Sequence, residues 1–355
     1  MYTEEEINLI TLSATAELTH KNCVTLLNGL ATAQPDFEIH KNYLIKTLSD
    51  GVYNKVKGNF YSQSYRSAIL KKLADRGITC VTYFSKDYPE NLKNTPCPPL
   101  TLFCKGNVGL LKRKSLSIVG SRRTLPNILK ESKAVSAELC KKFTIVTGTA
   151  DGADAAVING ALGSGNIICV LAYGFDSYYP SVNENLIKSV EKNGLLITEY
   201  TPQVKPQKFN FPARNRIIAG LSEGTLVVSA GKRSGATITA RYALEYGKRV
   251  FAFPYSLGVA SGEGCNSLIR DGATLVTDAG DILEDFGIER EESKAPALTA
   301  EELETLTVIK EMGDAFLSTV ATKLGKMPFQ LIPVITSLEM KGLIARLGGN
   351  RYAAL

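Results

Sequence analysis

Between residues 111 and 290, short and nearly continuous apolar runs alternate with stretches of helical periodicity. The runs are LSIVG (116–120), TIVTG (144–148), IICVLAY (167–173), LLITEY (195–200), TLVVSA (225–230), VFAFPY (250–255) and ATLVTD (273–278), all rich in β-branched residues. Strands covered on both faces need apolar side chains at successive positions, so the pattern predicts an α/β fold built on a parallel sheet of seven strands with crossover helices. Right-handed crossovers bring the strand-to-helix loops to one edge, where ligands of such sheets bind.

The flanks read differently. Residues 1–65 are helical in pattern (EEINLITLSATAEL, KNCVTLLNGL, IHKNYLIKTL), and residues 66–110 read as a helix and an extended lead-in with prolines at 89, 96, 98 and 99. REESKAPALTAEE (290–302) is charged, holds a proline and lacks hydrophobic periodicity, which places a linker at 291–299. Beyond it EELETLTVIKEM, FLSTVATKLGK and PFQLIPVITSLEMKG read as three helices, and LIARLGGNRYAAL as a hairpin turning at Gly348 and Gly349. The expected organisation is a helical domain (1–65), an extended Rossmann-like core (66–290), a linker (291–299) and a winged-helix domain (300–355).

Composition narrows the chemistry. Seven cysteines are scattered without a Cys-x-x-Cys pair and read as reduced core residues; His20 and His40 are the only histidines. Everything after residue 40 therefore lacks Ser-His-Asp, Cys-His and His-metal chemistry. No apolar run reaches 18 residues, and MYTEEEINLI opens on glutamates where a signal peptide carries basic residues, so the expectation is a cytoplasmic protein with no membrane partner. Charge is uneven: residues 111–249 carry 20 basic and 10 acidic residues. That excess suits a polyanion, and it also suits a lysine-rich solvated surface.

Candidate chemistry lies along the predicted loop edge. SIVGSRR ends the first run, so Gly120 permits a sharp exit and Ser121, Arg122 and Arg123 emerge where guanidinium forks can meet phosphates. A G-x-G-x-x-G fingerprint is absent, which argues against a dinucleotide cofactor; no cofactor is expected. In TGTADGADAAVING, Gly148 and Gly152 flank a turn opening a helix, either an anion site or a tight βα connection whose Asp151 or Asp154 caps the helix. The stretch TPQVKPQKFNFPARNRIIAGLS interleaves Lys205, Lys208, Arg214 and Arg216 with Phe209, Phe211 and Asn215, a mixture suited to a single nucleic-acid strand. The rings could equally be core, and Arg214 could hold a loop by ion pairing. GKRSGATITARYALEYGKR sets Lys232 and Arg233 ahead of Ser234, Gly235 and Thr237 at another helix start, a second candidate anion site.

Taken in order, SIVGSRR, the glycine turn at 147–152, YYPSVNENL, FNFPARNRIIAGLS, SGATITARYALEYGK and GCNSLIRDGA make residues 85–290 resemble the DNA-processing protein A family (DprA, also called Smf). The tail is similar to the winged helix that ends many members, and the first 65 residues match only in being helical, where members often carry a domain resembling a sterile alpha motif. The resemblance implies a non-catalytic protein that binds and protects single-stranded DNA, forms a homodimer, and loads the RecA recombinase during natural transformation. It also implies that Ser121, Arg122, Gly148, Gly152, Lys208, Phe211, Arg214, Asn215 and Arg216 line the DNA pocket; Arg123, Lys232, Arg233, Ser234 and Gly235 join them from the residue reading. Asp151, Ala153 and Ser181 depart from the family pattern and lower the pocket's positive character. The alternative is an enzyme on a similar core, such as a nucleoside-monophosphate phosphoribohydrolase, although its PGGxGT signature is missing. In the tail, the helix at 328–341 carries only Glu339 and Lys341 as charges and residues 291–355 net −1, which favours protein contact or dimer support over duplex reading. Arg346 and Arg351 remain available to touch phosphates.

Overall fold

Odd and even residues of each apolar run cover opposite faces of the sheet, and the structure follows that alternation. A computed structural model describes residues 2–15, 37, 41–289 and 298–354. They belong to two units, residues 1–288 and 289–355. In the first, strands β1 (Thr79–Thr82), β2 (Thr101–Gly106), β3 (Ser115–Gly120), β4 (Thr144–Thr147), β5 (Ile167–Val170), β6 (Leu195–Thr198), β7 (Gly224–Ser229), β8 (Arg249–Ala252) and β9 (Thr274–Leu275) form one sheet. Its order is β1-β2-β6-β5-β4-β3-β7-β8-β9.

The seven expected strands are β3 to β9, and they run parallel. The expectation of a wholly parallel sheet needs correcting, because β1 and β2 add an antiparallel extension beyond β6. Both lie in the segment read as an extended lead-in. Four residues of β1 beside a proline-rich stretch are too short to show a period.

Helices α1 (Glu4–Thr15), α2 (Lys41–Leu48), α3 (Asp50–Tyr61), α4 (Gln63–Ala74) and α5 (Glu90–Lys93) precede the parallel strands. Helices α6 (Pro126–Leu139), α7 (Ala153–Ala161), α8 (Glu184–Asn193), α9 (Asn210–Leu221), α10 (Gly235–Glu245), α11 (Glu263–Arg270) and α12 (Ala279–Asp285) connect or follow them. On one face Leu116, Ile118, Ile145, Ile167 and Cys169 pack against Val135 and Leu139 of α6, Val157 and Ile158 of α7, and Ile187 and Val190 of α8. On the other Val119, Val146, Ile168, Val170 and Val227 meet Ile217 and Ile218 of α9 and Ala236, Ala240 and Ala243 of α10. Two covered faces explain why the runs are apolar without a break.

The expected domain boundary at 65/66 falls inside α4. Ile10 of α1 and Leu73 of α4 belong to the sheet's own core. Hydrogen bonds add to the join: the Cys80 N–H donates to Tyr2 Oη at 2.9 Å, and Ser13 Oγ to Thr101 Oγ1 at 3.0 Å. A smaller cluster of Leu9, Leu12, Leu44, Tyr53, Val56 and Phe60 closes over Leu100. The helix expected at KNCVTLLNGL lies outside the described residues, as does most of the expected linker.

The second unit spans residues 289–355, so its bounds take in the expected linker. Thr299 caps α13 (Ala300–Met312): the Glu302 N–H donates to Thr299 Oγ1 at 3.2 Å, and the Thr299 N–H to Glu302 Oε2 at 2.7 Å. After β10 (Asp314–Phe316) come α14 (Leu317–Lys323), α15 (Pro328–Met340), β11 (Ile344–Leu347) and β12 (Arg351–Ala354). The strands form an antiparallel sheet ordered β10-β12-β11, over a core of Leu306, Ile309, Val320, Leu331, Ile335, Leu338, Ile344 and Tyr352. The β11–β12 turn needs left-handed backbone at Gly349 and Asn350.

Candidate nucleic-acid interface

The chain lays β3, β4, β5 and β6 outward in one direction, then returns to place β7 on the opposite side of β3. Strand order therefore reverses between β3 and β7, and the loops leaving their C-terminal ends part to open a crevice. A pocket of about 300 Å³ lies there, lined by Ser121 and Arg122 from the β3 loop, Ala150 and Asp154 from the β4 turn, Phe211, Arg214 and Asn215 from α9, and Ser234 and Gly235 at the start of α10. Ser121 Oγ donates to the Ser229 carbonyl at 3.3 Å and stands 3.4 Å from Ser234 Oγ, so the two loops meet through hydroxyls. Asn215 Nδ2 donates to the Gly235 carbonyl at 3.1 Å, tying α9 to α10.

The pocket floor is a buried charge pair. Arg214 Nη1 donates to the Val170 carbonyl, and its Nε to Asn215 Oδ1 at 3.3 Å. Asp154 Oδ2 accepts the Ala150 N–H at 3.1 Å. Both groups crowd Gly148: a Cβ there would lie 2.3 Å from Asp154 Oδ2 and 2.8 Å from Arg214 Nη2. Burial raises the Asp154 carboxyl, against the opposing pull of Arg214 and the Ala150 N–H; burial likewise lowers Arg214, which the Asp154 charge counteracts. The glycine turn thus holds an anion of its own, and Gly148 is there because two charged side chains occupy the space above it. Gly152 has φ 78° and no room for a side chain, with the Arg122 carbonyl oxygen 2.3 Å from where Cβ would stand. The Ala153 N–H donates to the Ser121 carbonyl at 3.2 Å, so this close approach fixes the backbone that presents Arg122.

The pocket mouth is aromatic and basic. The Arg122 guanidinium lies 5.6 Å from the centroid of the half-buried Phe211 ring, which in turn lies 5.6 Å from Tyr179 at an interplanar angle of 57°. Tyr179 is 39% exposed. The buried Tyr173 pins its loop: the Tyr179 N–H donates to Tyr173 Oη at 3.0 Å, and Tyr173 Oη donates to the Tyr179 carbonyl at 2.7 Å. Asn183 Nδ2 ties the same loop to the glycine turn through the Thr149 and Ala150 carbonyls. Phe209, two residues before Phe211 and just ahead of α9, is 69% exposed beside the exposed Lys208 and Lys205.

The expected site residues therefore divide. Ser121, Arg122, Phe211, Arg214, Asn215, Ser234 and Gly235 meet at the pocket, with Gly148 and Gly152 shaping it from behind. Arg123, Lys208 and Arg233 are exposed on the loops and the α9 approach around it, without lining it. Lys232 lies 3.8 Å from Glu263 and faces a neighbouring hollow with Ser256 and Arg270. Arg216 needs correction: it is buried in an ion pair with Glu199, the two side chains 3% and 7% exposed. Two residues apart on a helix means some 200° of rotation, so Arg214 and Arg216 cannot share a pocket. Sequence reading weighed Phe209 with Phe211 as a stacking ring or core and carried only Phe211 into the site, whereas Phe209 is the more exposed; it passed over Tyr179, for which the Tyr-Tyr-Pro run was the signal. Among the described residues there is no metal-binding cluster, and no helix is long and apolar enough to cross a membrane.

The chain is a doubly wound α/β sheet protein with a cationic, aromatic mouth at its switch point, a geometry suited to a phosphate-bearing ligand. The family model described as DNA recombination-mediator protein A matches residues 79–287, and the chain belongs to that family. It is 42% identical over 200 residues to the DNA processing protein DprA of Streptococcus pneumoniae strain R6, covering 56% of this chain and 71% of that protein. It is also 34% identical over 279 residues to the protein Smf of Escherichia coli K12, covering 75% of each. The X-ray structure of the S. pneumoniae DprA matches with a TM-score of 0.68 at 31% identity, over 82% of this chain and 99% of that one. The Helicobacter pylori DNA processing protein A, described with a single-stranded DNA binding mode, matches with a TM-score of 0.55 at 28% identity, over 59% and 95%.

Proposed function

We propose that this chain binds single-stranded DNA across the switch-point pocket, leaves the strand intact, and as a cytoplasmic homodimer delivers it to the RecA recombinase during natural transformation. The observation that carries the DNA-binding reading is the Arg122 guanidinium over Phe211, with Tyr179 and Phe209 exposed alongside. Cations there track a sugar-phosphate backbone while the rings offer stacking faces to unpaired bases. The H. pylori relative, described with a single-stranded DNA binding mode, supports the same reading. The dimer and the recombinase step rest on family resemblance. We also read the second unit as a winged helix, from its three helices and three-stranded sheet.

An enzyme of the phosphoribohydrolase kind is the competing reading, and it needs a free carboxylate at the ligand. The carboxylate lining this pocket, Asp154, is buried, bonded to the Ala150 N–H and set beside Arg214. It is built to balance a charge rather than to move a proton.

The test is titration of the purified chain with a labelled oligonucleotide, single-stranded and duplex, at two salt concentrations, alongside incubation with nucleoside monophosphates. The expected result is preferential single-strand binding that weakens with salt, intact DNA and no base release. Equal affinity for duplex, or released base, overturns the proposal.

A further inference from the structure

Helix α15 is apolar on two opposite sides. Leu331, Val334, Ile335 and Leu338 enter the core of the second unit. Phe329, Ile332, Pro333, Thr336 and Met340 are exposed, and at 100° per residue they fall in a stripe about 100° wide. Phe329, Ile332 and Met340 are 66%, 52% and 85% exposed. Glu339 is the only charge among the 13 residues of the helix. A helix apolar all round belongs in an interior, yet this one leaves a face open to solvent.

We propose that this stripe is a self-association surface, covered by α15 of a second copy lying antiparallel across it. The stripe's spacing is nearly palindromic about the point between Val334 and Ile335, close to the helix midpoint: Phe329 and Met340 are equidistant from it, as are Pro333 and Thr336. A two-fold axis at that point sets Phe329 of each copy on Met340 of the other, the self-complementarity that an isologous contact requires. Charge selects the orientation. Antiparallel crossing brings each Glu339 to the N-terminal, partly positive end of the opposite helix, whereas parallel crossing would oppose the two carboxylates. The exposed stripe is on the order of 500 Å², a size that marks interaction sites. Two such faces bury about 1,000 Å², the lower bound for a specific contact, so the association is weak and reversible. Duplex DNA does not fit, since the stripe carries no cation.

Sedimentation of the full chain up to about 100 µM tests this, for the wild type, Ile332→Glu and Thr336→Leu. Both positions are exposed, and circular dichroism melts check that the variants stay folded. The wild type is expected to show a concentration-dependent association step that Ile332→Glu weakens about 30-fold and Thr336→Leu strengthens. A dimer formed through the first unit would be common to all three chains and would not alter these differences. Identical mass profiles for the three overturn the proposal. So does a change in frictional ratio without a change in mass, which would mean that the stripe docks within its own chain.

Discussion

Replacing Arg122 with alanine removes the cation that the pocket presents at its mouth, and the salt dependence of DNA binding reads the loss directly. Six exposed cations stand on the loops at this edge and on the approach to α9: Arg122, Arg123, Lys205, Lys208, Arg233 and, toward the neighbouring hollow, Lys232. Arg214 and Arg216 do not count, because both are buried beside carboxylates. Each phosphate neutralised on a single strand contributes about −0.7 to the slope of log affinity against log salt, so six contacts give about −4. Raising salt from about 50 to 200 mM then lowers affinity roughly 300-fold. Arg122→Ala should shallow the slope by about 0.7, so that its deficit against the wild type shrinks about 2.6-fold over that interval. Phe209→Ala is the matched control. On the proposed reading its exposed ring stacks on a base, worth roughly 1 to 3 kcal/mol, so affinity should fall by about 5- to 150-fold while the slope stays put. Fluorescence anisotropy of a labelled oligothymidine at several salt concentrations measures both quantities. An Arg122→Ala slope equal to the wild type's would mean that the guanidinium touches no phosphate. A shallower slope for Arg216→Ala would reverse the assignment of outward and inward arginines.

Arg216→Ala should instead strand Glu199 in the interior and destabilise the fold by about 3 to 5 kcal/mol, seen as a lower urea midpoint, with the salt slope unchanged. Gly152→Ala forces a side chain into left-handed backbone against the Arg122 carbonyl; it should lose about 1 to 3 kcal/mol of stability together with DNA affinity, and full stability would remove the constraint argued for that turn. Lys248 donates to the Gly220 carbonyl at 2.6 Å, and burial pushes its ammonium down to about 8 from the usual 10.5. The unfolded chain holds that proton more tightly, so the group's contribution to stability rises with pH between about 8 and 10.5. Urea midpoints across that window should climb in the wild type relative to Lys248→Met, and parallel profiles would refute the shift.

The parallel strands were legible because burial on both faces leaves a mark at every position: Ile167, Ile168, Cys169 and Val170 are all covered, alternately by the two helical layers. The strands β1 and β2 left no such mark. β2 takes its place by pairing with β6, 89 to 95 residues further along the chain, as where Phe103 lies opposite Thr198, and β1 takes its place by pairing with β2. Periodicity within a short segment carries nothing about a ladder formed that far along the sequence. The 65/66 boundary failed for a related reason, since Leu73 anchors α4 on the sheet while the N-terminal half of the helix looks like its helical neighbours.

At the pocket, residue types were readable and directions were not. Arg214, Asn215 and Arg216 stand in one run of polar residues, and which of them faces the crevice depends on where α9 begins and which side it lays on the sheet. Ile217 and Ile218 in the core beneath α9, which packs on β3, β4 and β5, settle that orientation, turning Arg214 toward the C-terminal edge beside Asp154 and Arg216 toward Glu199. A carboxylate far away in sequence thereby decides what each arginine is for. With Asp154 and Glu199 each beside one buried cation, the charge left to meet a polyanion is that of the flexible side chains on the rim, Arg122 foremost. The central excess of basic residues overstates the binding surface for that reason: part of it is spent inside the protein, holding α9 in place so that Phe211 can stand under Arg122.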